Sequence, residues 1–157
     1  MKLSTKARHA ITAMMDLSIN DKYRPVTLAD ISQCQGISLS YLEQLFAKLR
    51  KGGLVVGVRG PGGGYRLARS PHAISVAQVI SAIDETVQPP QEHSELSMQY
   101  DDRCLTHQIW DELSDKIYDY LNSVTLGEFT DRPEYHALRQ QSSGNNRSHM
   151  FPKRTAA

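Results

Sequence analysis

The chain has 157 residues, of which 39% are hydrophobic and 22% are charged, with 18 basic and 17 acidic side chains. This length and composition suit one compact domain with an attached arm. The apolar stretches are shorter than the ~20 residues needed to cross a bilayer, and the N-terminus lacks a signal-peptide core. Cys34 and Cys104 are the only cysteines, which excludes a disulfide-built secreted scaffold and indicates the cytoplasm.

The two halves of the chain differ in charge. Residues 1–70 contain 11 basic and 4 acidic side chains, a net +7, whereas residues 71–157 contain 7 and 13, a net −6. A basic front half is typical of proteins that bind a phosphate backbone, because each neutralised phosphate releases counterions. An unevenly charged solvated surface would give the same count, so the motifs have to distinguish the two interpretations.

Apolar residues at helical spacing predict three helices in the first 52 residues. The first covers about residues 4–19, and the second begins at Thr27, which stands three residues before Asp30 in a capping pattern, and ends at Gly36. The third, called here the recognition helix, begins at Ser38 or Ser40 and ends at the Gly52-Gly53 pair. Two short helices joined by a tight turn predict a helix-turn-helix, whose second helix can enter a major groove.

A β-hairpin is predicted next. The segments 54–58 and 65–69 are typical of strands, and the glycine-rich loop 59–64 separates them. A hairpin just after a helix-turn-helix is the wing of a winged helix. The loop is neither a P-loop nor a dinucleotide-binding loop, because Tyr65 and Arg66 stand where those motifs need other residues.

The rest of the chain contains one capped helix from Ser75 and one long amphipathic helix. The long helix carries a narrow apolar stripe: Trp110, Leu113, Ile117, Leu121 and Val124. We expect this stripe to pack against a second copy of the chain as a homodimer, with packing against its own domain as the alternative.

The predicted fold is therefore mainly α with a small β-hairpin wing. A winged helix-turn-helix domain covers residues 1–85, a loop of the sensor type covers 86–103, a dimerisation helix covers 104–130, and a disordered tail covers 131–157.

Polar residues of the recognition helix that lie off its apolar face are the first candidate DNA contacts. They are Ser38, Ser40, Tyr41, Glu43, Gln44, Lys48 and Arg50. Gln44 can pair with an adenine edge, and Glu43 can accept a hydrogen bond from a cytosine amino group. Glu43 also has the spacing to form a capping box with Ser40, and the two roles do not exclude each other.

Arg59 is the candidate DNA contact of the wing. An arginine on a glycine-rich hairpin can enter the minor groove, where narrow A·T-rich DNA deepens the negative potential. Gly60, Gly62 and Gly63 permit a close approach of the backbone. The alternative is a plain hairpin turn with a solvated arginine.

Two sequence strings resemble a known family. Residues 38–46 (SLSYLEQLF) and 59–65 (RGPGGGY) are similar to those of the IscR-type regulators of bacterial iron–sulfur cluster assembly, and the similarity extends over about residues 1–130. The resemblance implies a winged-helix homodimer that represses or activates promoters of iron–sulfur biogenesis genes. It also implies that Glu43 discriminates between classes of DNA site and that Arg59 is a wing contact.

The resemblance further implies a [2Fe-2S] cluster held by three cysteines and a histidine, and here the sequence departs from the family. Cys104 and His107 keep the Cys-x-x-His spacing, but the preceding loop offers Glu92 and His93 instead of cysteines. A cluster would need an unusual set of ligands, such as Glu92 or His93 with Cys104 and His107. The alternative is a structural role for Cys104 and His107 at the start of the helix.

The sequence therefore predicts a sequence-specific transcriptional regulator that binds double-stranded promoter DNA and controls iron–sulfur biogenesis genes. One alternative is a redox or nitric-oxide sensor with a mixed-ligand cluster. A cysteine hydrolase with Cys34 or Cys104 served by His107 is a weaker alternative, because no oxyanion element accompanies these residues. The acidic back half can in addition dock a protein such as RNA polymerase.

Overall fold

The computed structural model describes residues 4–22, 24–84, 105–135 and 137. Its helices are α1 (Thr5–Asn20), α2 (Leu28–Gln35), α3 (Leu39–Lys51), α4 (Val76–Ile83), α5 (Leu105–Ser123) and α6 (Leu126–Thr130). Two strands, β1 (Val55–Val58) and β2 (Gly64–Leu67), form an antiparallel hairpin between α3 and α4. The predicted winged helix-turn-helix fold is confirmed.

The helix starts follow from local capping. Ser4 accepts a hydrogen bond from the Ala7 amide at 3.1 Å, and Thr27 accepts one from the Asp30 amide at 3.1 Å. Such caps satisfy amide groups that have no partner within the helix. Gly36 ends α2 with a φ of 67°, a left-handed conformation that glycine adopts without steric cost.

One hydrophobic core lies between α1, α3 and α4. Its fully buried side chains include Met14 and Leu17 of α1, Phe46 and Leu49 of α3, and Val79 of α4. Removing such side chains from water is the main favourable term in folding, at roughly 25 cal/mol per Å² of apolar surface. The face of α3 that carries Phe46 and Leu49 is therefore fixed inward.

Hydrogen bonds join strand β2 of the hairpin to the helical part near Val26 and Asp21. Val26, just before α2, forms a bridge with Tyr65 of β2, with N–O distances of 3.0 and 2.8 Å. Asp21, at the end of α1, accepts hydrogen bonds from the Arg66 guanidinium at 3.2 Å and the Leu67 amide at 3.2 Å. These contacts hold β2 against α1 and the start of α2.

The segment predicted as one dimerisation helix over 104–130 contains two helices. The long helix α5 ends at Ser123, and Thr125 begins α6 with a capping box to Glu128. The turn between them pairs with the segment before α4, where the Val76 amide donates to the Val124 carbonyl at 2.8 Å. This pairing ends α5 at Ser123, one residue before Val124, which is the last residue of the apolar stripe.

The ends of the predicted domains are only partly described. Within the predicted tail, residues 131–135 include a turn in which the Tyr135 amide donates to the Arg132 carbonyl at 3.0 Å, so this part is ordered. The predicted loop 86–103 and nearly all of the remaining tail lie outside the described residues. No helix in the described ranges is long and apolar enough to cross a membrane.

Gly63 provides a test of the hairpin turn. A Cβ at this position would overlap the backbone carbonyl oxygen of Val58 and lie 2.8 Å from that of Gly60, whereas a Cβ at Gly57 would meet nothing within 4 Å. We expect Gly63→Ala to lower the free energy of unfolding by about 1–3 kcal/mol, the usual cost of overpacking. Chemical denaturation measures the change, and Gly57→Ala is the matched control. Equal stability of the two variants would contradict the turn geometry.

Candidate nucleic-acid interface

The recognition helix α3 begins at Ser38, not at Ser40. The Ser38 hydroxyl accepts a hydrogen bond from the Tyr41 amide at 3.4 Å, and Ile37 packs in the core together with Leu42. This pair has the spacing of a hydrophobic staple, which fixes the direction in which the chain enters the helix. The predicted capping box between Ser40 and Glu43 is wrong, because Ser38 takes the N-cap position and leaves the Glu43 side chain exposed.

Most of the predicted contacts on α3 form one exposed polar surface. Ser40, Glu43, Gln44 and Arg50 are exposed, and none of their side chains has a hydrogen bond or ion pair to another residue in the described part of the chain. Burial of Leu42, Leu45, Phe46 and Leu49 on the opposite side sets this direction. The polar edge of the helix is therefore available to an external ligand.

Two of the predicted contacts also have roles inside the domain. The Lys48 ammonium group donates to the Ile83 carbonyl at 3.3 Å, where the last turn of α4 leaves carbonyl oxygens without partners. Tyr41 is half-buried, and its ring meets the His9 ring of α1 edge-on, with centroids 5.6 Å apart. Lys48 and Tyr41 thus help to position α3, besides any contact they make with a ligand.

The wing presents Arg59 at its tip. The turn is closed by a hydrogen bond from the Gly63 amide to the Gly60 carbonyl at 2.9 Å. Gly60 and Gly62 have φ values of 96° and 73°, which side-chain-bearing residues rarely adopt. Arg59 is exposed and has no ion-pair partner among the described residues. By contrast, Arg66 on β2 forms an ion pair with Asp21 and stabilises the fold.

An aromatic contact joins the recognition helix to the wing. The Phe46 ring of α3 lies against the Tyr65 ring of β2, with centroids 4.9 Å apart. This contact helps to fix the position of the wing relative to α3. Sequence reasoning overlooked Leu39, whose spacing of three and seven residues from Leu42 and Phe46 groups it with the apolar face, although it is 44% exposed at the start of α3.

Most of the predicted metal ligands lie outside the described part of the chain, so this site stays a prediction. Glu92, His93 and Cys104 lie outside the described residues, and His107 belongs to the first turn of α5. Within the described ranges, no group of three or more histidine, cysteine or acidic side chains could hold a metal ion. Burial raises the pKa of the Cys34 thiol above 9.0, and the nearby Asp16 carboxylate raises it further.

Helix α5 exposes large apolar side chains, most of them in its first half. Trp110 is 64% exposed and Leu113 is 43% exposed, and Ile109 and Tyr120 are also on the surface. At the other end, Leu121 and Val124 pack against the core. The alternative in which the whole stripe packs on its own domain thus holds only for the C-terminal part of the helix.

Known proteins share both this sequence and this fold. The Rrf2 family, described as an iron-dependent transcriptional regulator, matches residues 3–132. The HTH-type transcriptional regulator IscR of Vibrio cholerae serotype O1 is 51% identical over 156 residues, covering 93% of this chain and 90% of the relative.

Solved structures give the same assignment. T. potens IscR has a TM-score of 0.66 and 32% identity, covering 96% of both chains. The global cysteine regulator CymR of B. subtilis has a TM-score of 0.67 and 32% identity, covering 82% of this chain and 95% of that protein.

Proposed function

Since this chain belongs to the Rrf2 family of transcriptional regulators, we propose that it reads promoter DNA with α3 in the major groove and the wing in the minor groove. The chain is a DNA-binding regulator and not an enzyme, as its IscR-named relatives indicate. The observation that carries the proposal is the exposed polar edge of α3, whose side chains have no partner among the described residues, together with the exposed Arg59 on a glycine turn. The net charge of +7 over residues 1–70 supports contact with phosphates.

Each exposed side chain of α3 has chemistry that suits a part of the duplex. Gln44 offers a donor and an acceptor for an adenine edge, and Glu43 accepts from a cytosine amino group but is repelled by phosphates. Ser38, Ser40 and Tyr41 lie at the start of the helix, where side chains and amide groups can bind phosphate oxygens. Arg50, in the last turn, and the shared Lys48 add positive charge.

On the wing, close backbone approach is the role proposed for Gly60, Gly62 and Gly63, with the Arg59 guanidinium entering the minor groove. As target genes we propose those of iron–sulfur cluster biogenesis, a choice supported by the resemblance to IscR-type regulators and by the IscR name of the relatives. Contact of the acidic back half with RNA polymerase stays a prediction from sequence.

Arg59 gives the direct test of this proposal. We expect Arg59→Ala to weaken binding to promoter DNA by about 1–3 kcal/mol, because one charged groove contact is lost. Fluorescence anisotropy over a range of salt concentrations measures both the affinity and the salt slope. Arg132→Ala is the matched control, since Arg132 lies beyond α6 and stacks on Phe129. The proposed interface would be refuted if the wild-type protein failed to bind duplex DNA at low salt. It would also be refuted if the two variants bound DNA with equal affinity.

We further propose that the chain acts as a homodimer joined through α5. The exposed residues Ile109, Leu113 and Tyr120 recur at spacings of four and seven, so they lie along one side of the helix. A second copy presents an identical stripe and can bury it symmetrically. A backbone hydrogen bond from the Val76 amide to the Val124 carbonyl holds the residue just after α5 to the domain, which leaves the first half of the helix free to pair.

Leu113 tests the dimer. We expect Leu113→Glu to yield a monomer, because a carboxylate buried in an apolar interface costs several kcal/mol. A monomer can bind only one half-site of the operator at a time, so the affinity for DNA should fall by roughly 100-fold. Analytical ultracentrifugation gives the mass, and Glu112→Gln, on the adjacent exposed position, is the control. A Leu113→Glu protein that remains dimeric would contradict this role of α5.

The residues of this chain do not fit the cluster that its family resemblance implies. That cluster needs three thiolates and one imidazole, and the chain contains two cysteines in all. One of them, Cys34, lies exposed on α2, within the helix-turn-helix. Only Cys104 and His107 match the family pattern. We therefore propose that DNA binding by this chain does not depend on a [2Fe-2S] cluster.

Anaerobic purification tests this independence. We expect neither acid-labile sulfide nor absorption bands between about 300 and 600 nm, which iron–sulfur clusters show. The affinity for promoter DNA should be the same before and after treatment with an iron chelator. The opposite result is a wild-type protein with visible absorption bands that are lost in Cys104→Ala or His107→Ala. If the same substitutions also change the affinity for DNA, the chain is a mixed-ligand sensor.

A further inference from the structure

Leu39 is a large apolar residue that the fold leaves uncovered. It is the first residue of α3 and is 44% exposed, whereas the leucines at 42, 45 and 49 of the same helix are buried. Single exposed apolar residues are common on protein surfaces, so exposure alone indicates no role. The position of Leu39 within the recognition helix is what gives it one.

The start of α3 is the part of the helix that meets base edges in a helix-turn-helix. Ser38 caps this turn, and the packing of Ile37 with Leu42 fixes it, so the backbone at Leu39 has little freedom. Ser40 is the next residue, and Glu43 follows one turn later on a neighbouring exposed position. Leu39 therefore stands between a group proposed above to bind phosphate and one proposed to bind a base.

The chemistry of the major groove restricts what an apolar side chain can bind there. Base edges present donors and acceptors, and a leucine placed on them would remove their water without replacing a hydrogen bond. The exception is the C5 methyl group of thymine, which is apolar. We propose that Leu39 packs on a thymine methyl group and so selects thymine at one operator position next to the base read by Glu43. This inference rests on the proposed placement of α3 in the major groove.

Selection from random duplexes and a substitution in the DNA test the proposal together. Wild-type protein should enrich operators with an invariant thymine, and Leu39→Ala should lose the preference at that position alone. Replacing this thymine with deoxyuridine removes only the methyl group. It should weaken wild-type binding about fourfold, which corresponds to ~0.8 kcal/mol per buried CH₂, and should leave Leu39→Ala binding unchanged. Leu39→Met, which keeps an apolar side chain of similar volume, should retain the preference.

The outcomes separate this inference from the function on which it depends. Two results would overturn the role of Leu39 while leaving DNA binding intact. One is a selected operator without an invariant thymine. The other is a Leu39→Ala protein that distinguishes thymine from deoxyuridine as well as wild type does. Failure of wild-type protein to enrich any duplex would overturn the proposed interface itself. Equal melting temperatures of wild type and Leu39→Ala exclude a folding defect as the cause.

Discussion

The contact between Phe46 and Tyr65 is the constraint on which the DNA-binding arrangement depends. Phe46 belongs to the buried face of α3, and Tyr65 belongs to the strand that carries the chain back from the wing tip. Their rings touch, and Tyr65 also exchanges two backbone hydrogen bonds with Val26. As a result, the recognition helix and the wing form one rigid unit, which can meet two adjacent grooves without an ordering cost at the moment of binding.

A second connection runs from this unit to the proposed dimer interface. The Ser75 hydroxyl donates to the Asn122 side chain at 2.9 Å, and the Leu126 amide donates to the Ile74 carbonyl at 2.9 Å, so the end of α5 is tied to the start of α4. Helix α4 in turn accepts the Lys48 hydrogen bond from α3. The orientation of α5 therefore sets the relation between two recognition helices in a dimer, and thus the spacing of the half-sites.

Much of the fold followed from short-range patterns in the sequence, and the errors arose where distant contacts decide. Capping motifs and apolar spacing correctly predicted α2, α4 and the hairpin. Sequence alone could not choose between Ser38 and Ser40 as the cap of α3, because burial of Ile37 against Leu42 decides it. The apolar stripe that ends at Val124 predicted the end of α5 to within one residue, but the start of α6 was missed, although the Thr125-x-x-Glu128 pattern was a readable signal. The bridge between Val26 and Tyr65 involves a single residue before α2 and leaves no periodic pattern.

The central claim is that α3 occupies a major groove while Arg59 occupies the neighbouring minor groove. Methylation interference on a selected operator tests it most directly, because guanine N7 methylation blocks the major groove and adenine N3 methylation blocks the minor groove. We predict two adjacent patches of interference, one for each groove, with the adenine patch alone lost in Arg59→Ala. Interference confined to one groove, or an adenine patch unaffected by Arg59→Ala, would contradict the account.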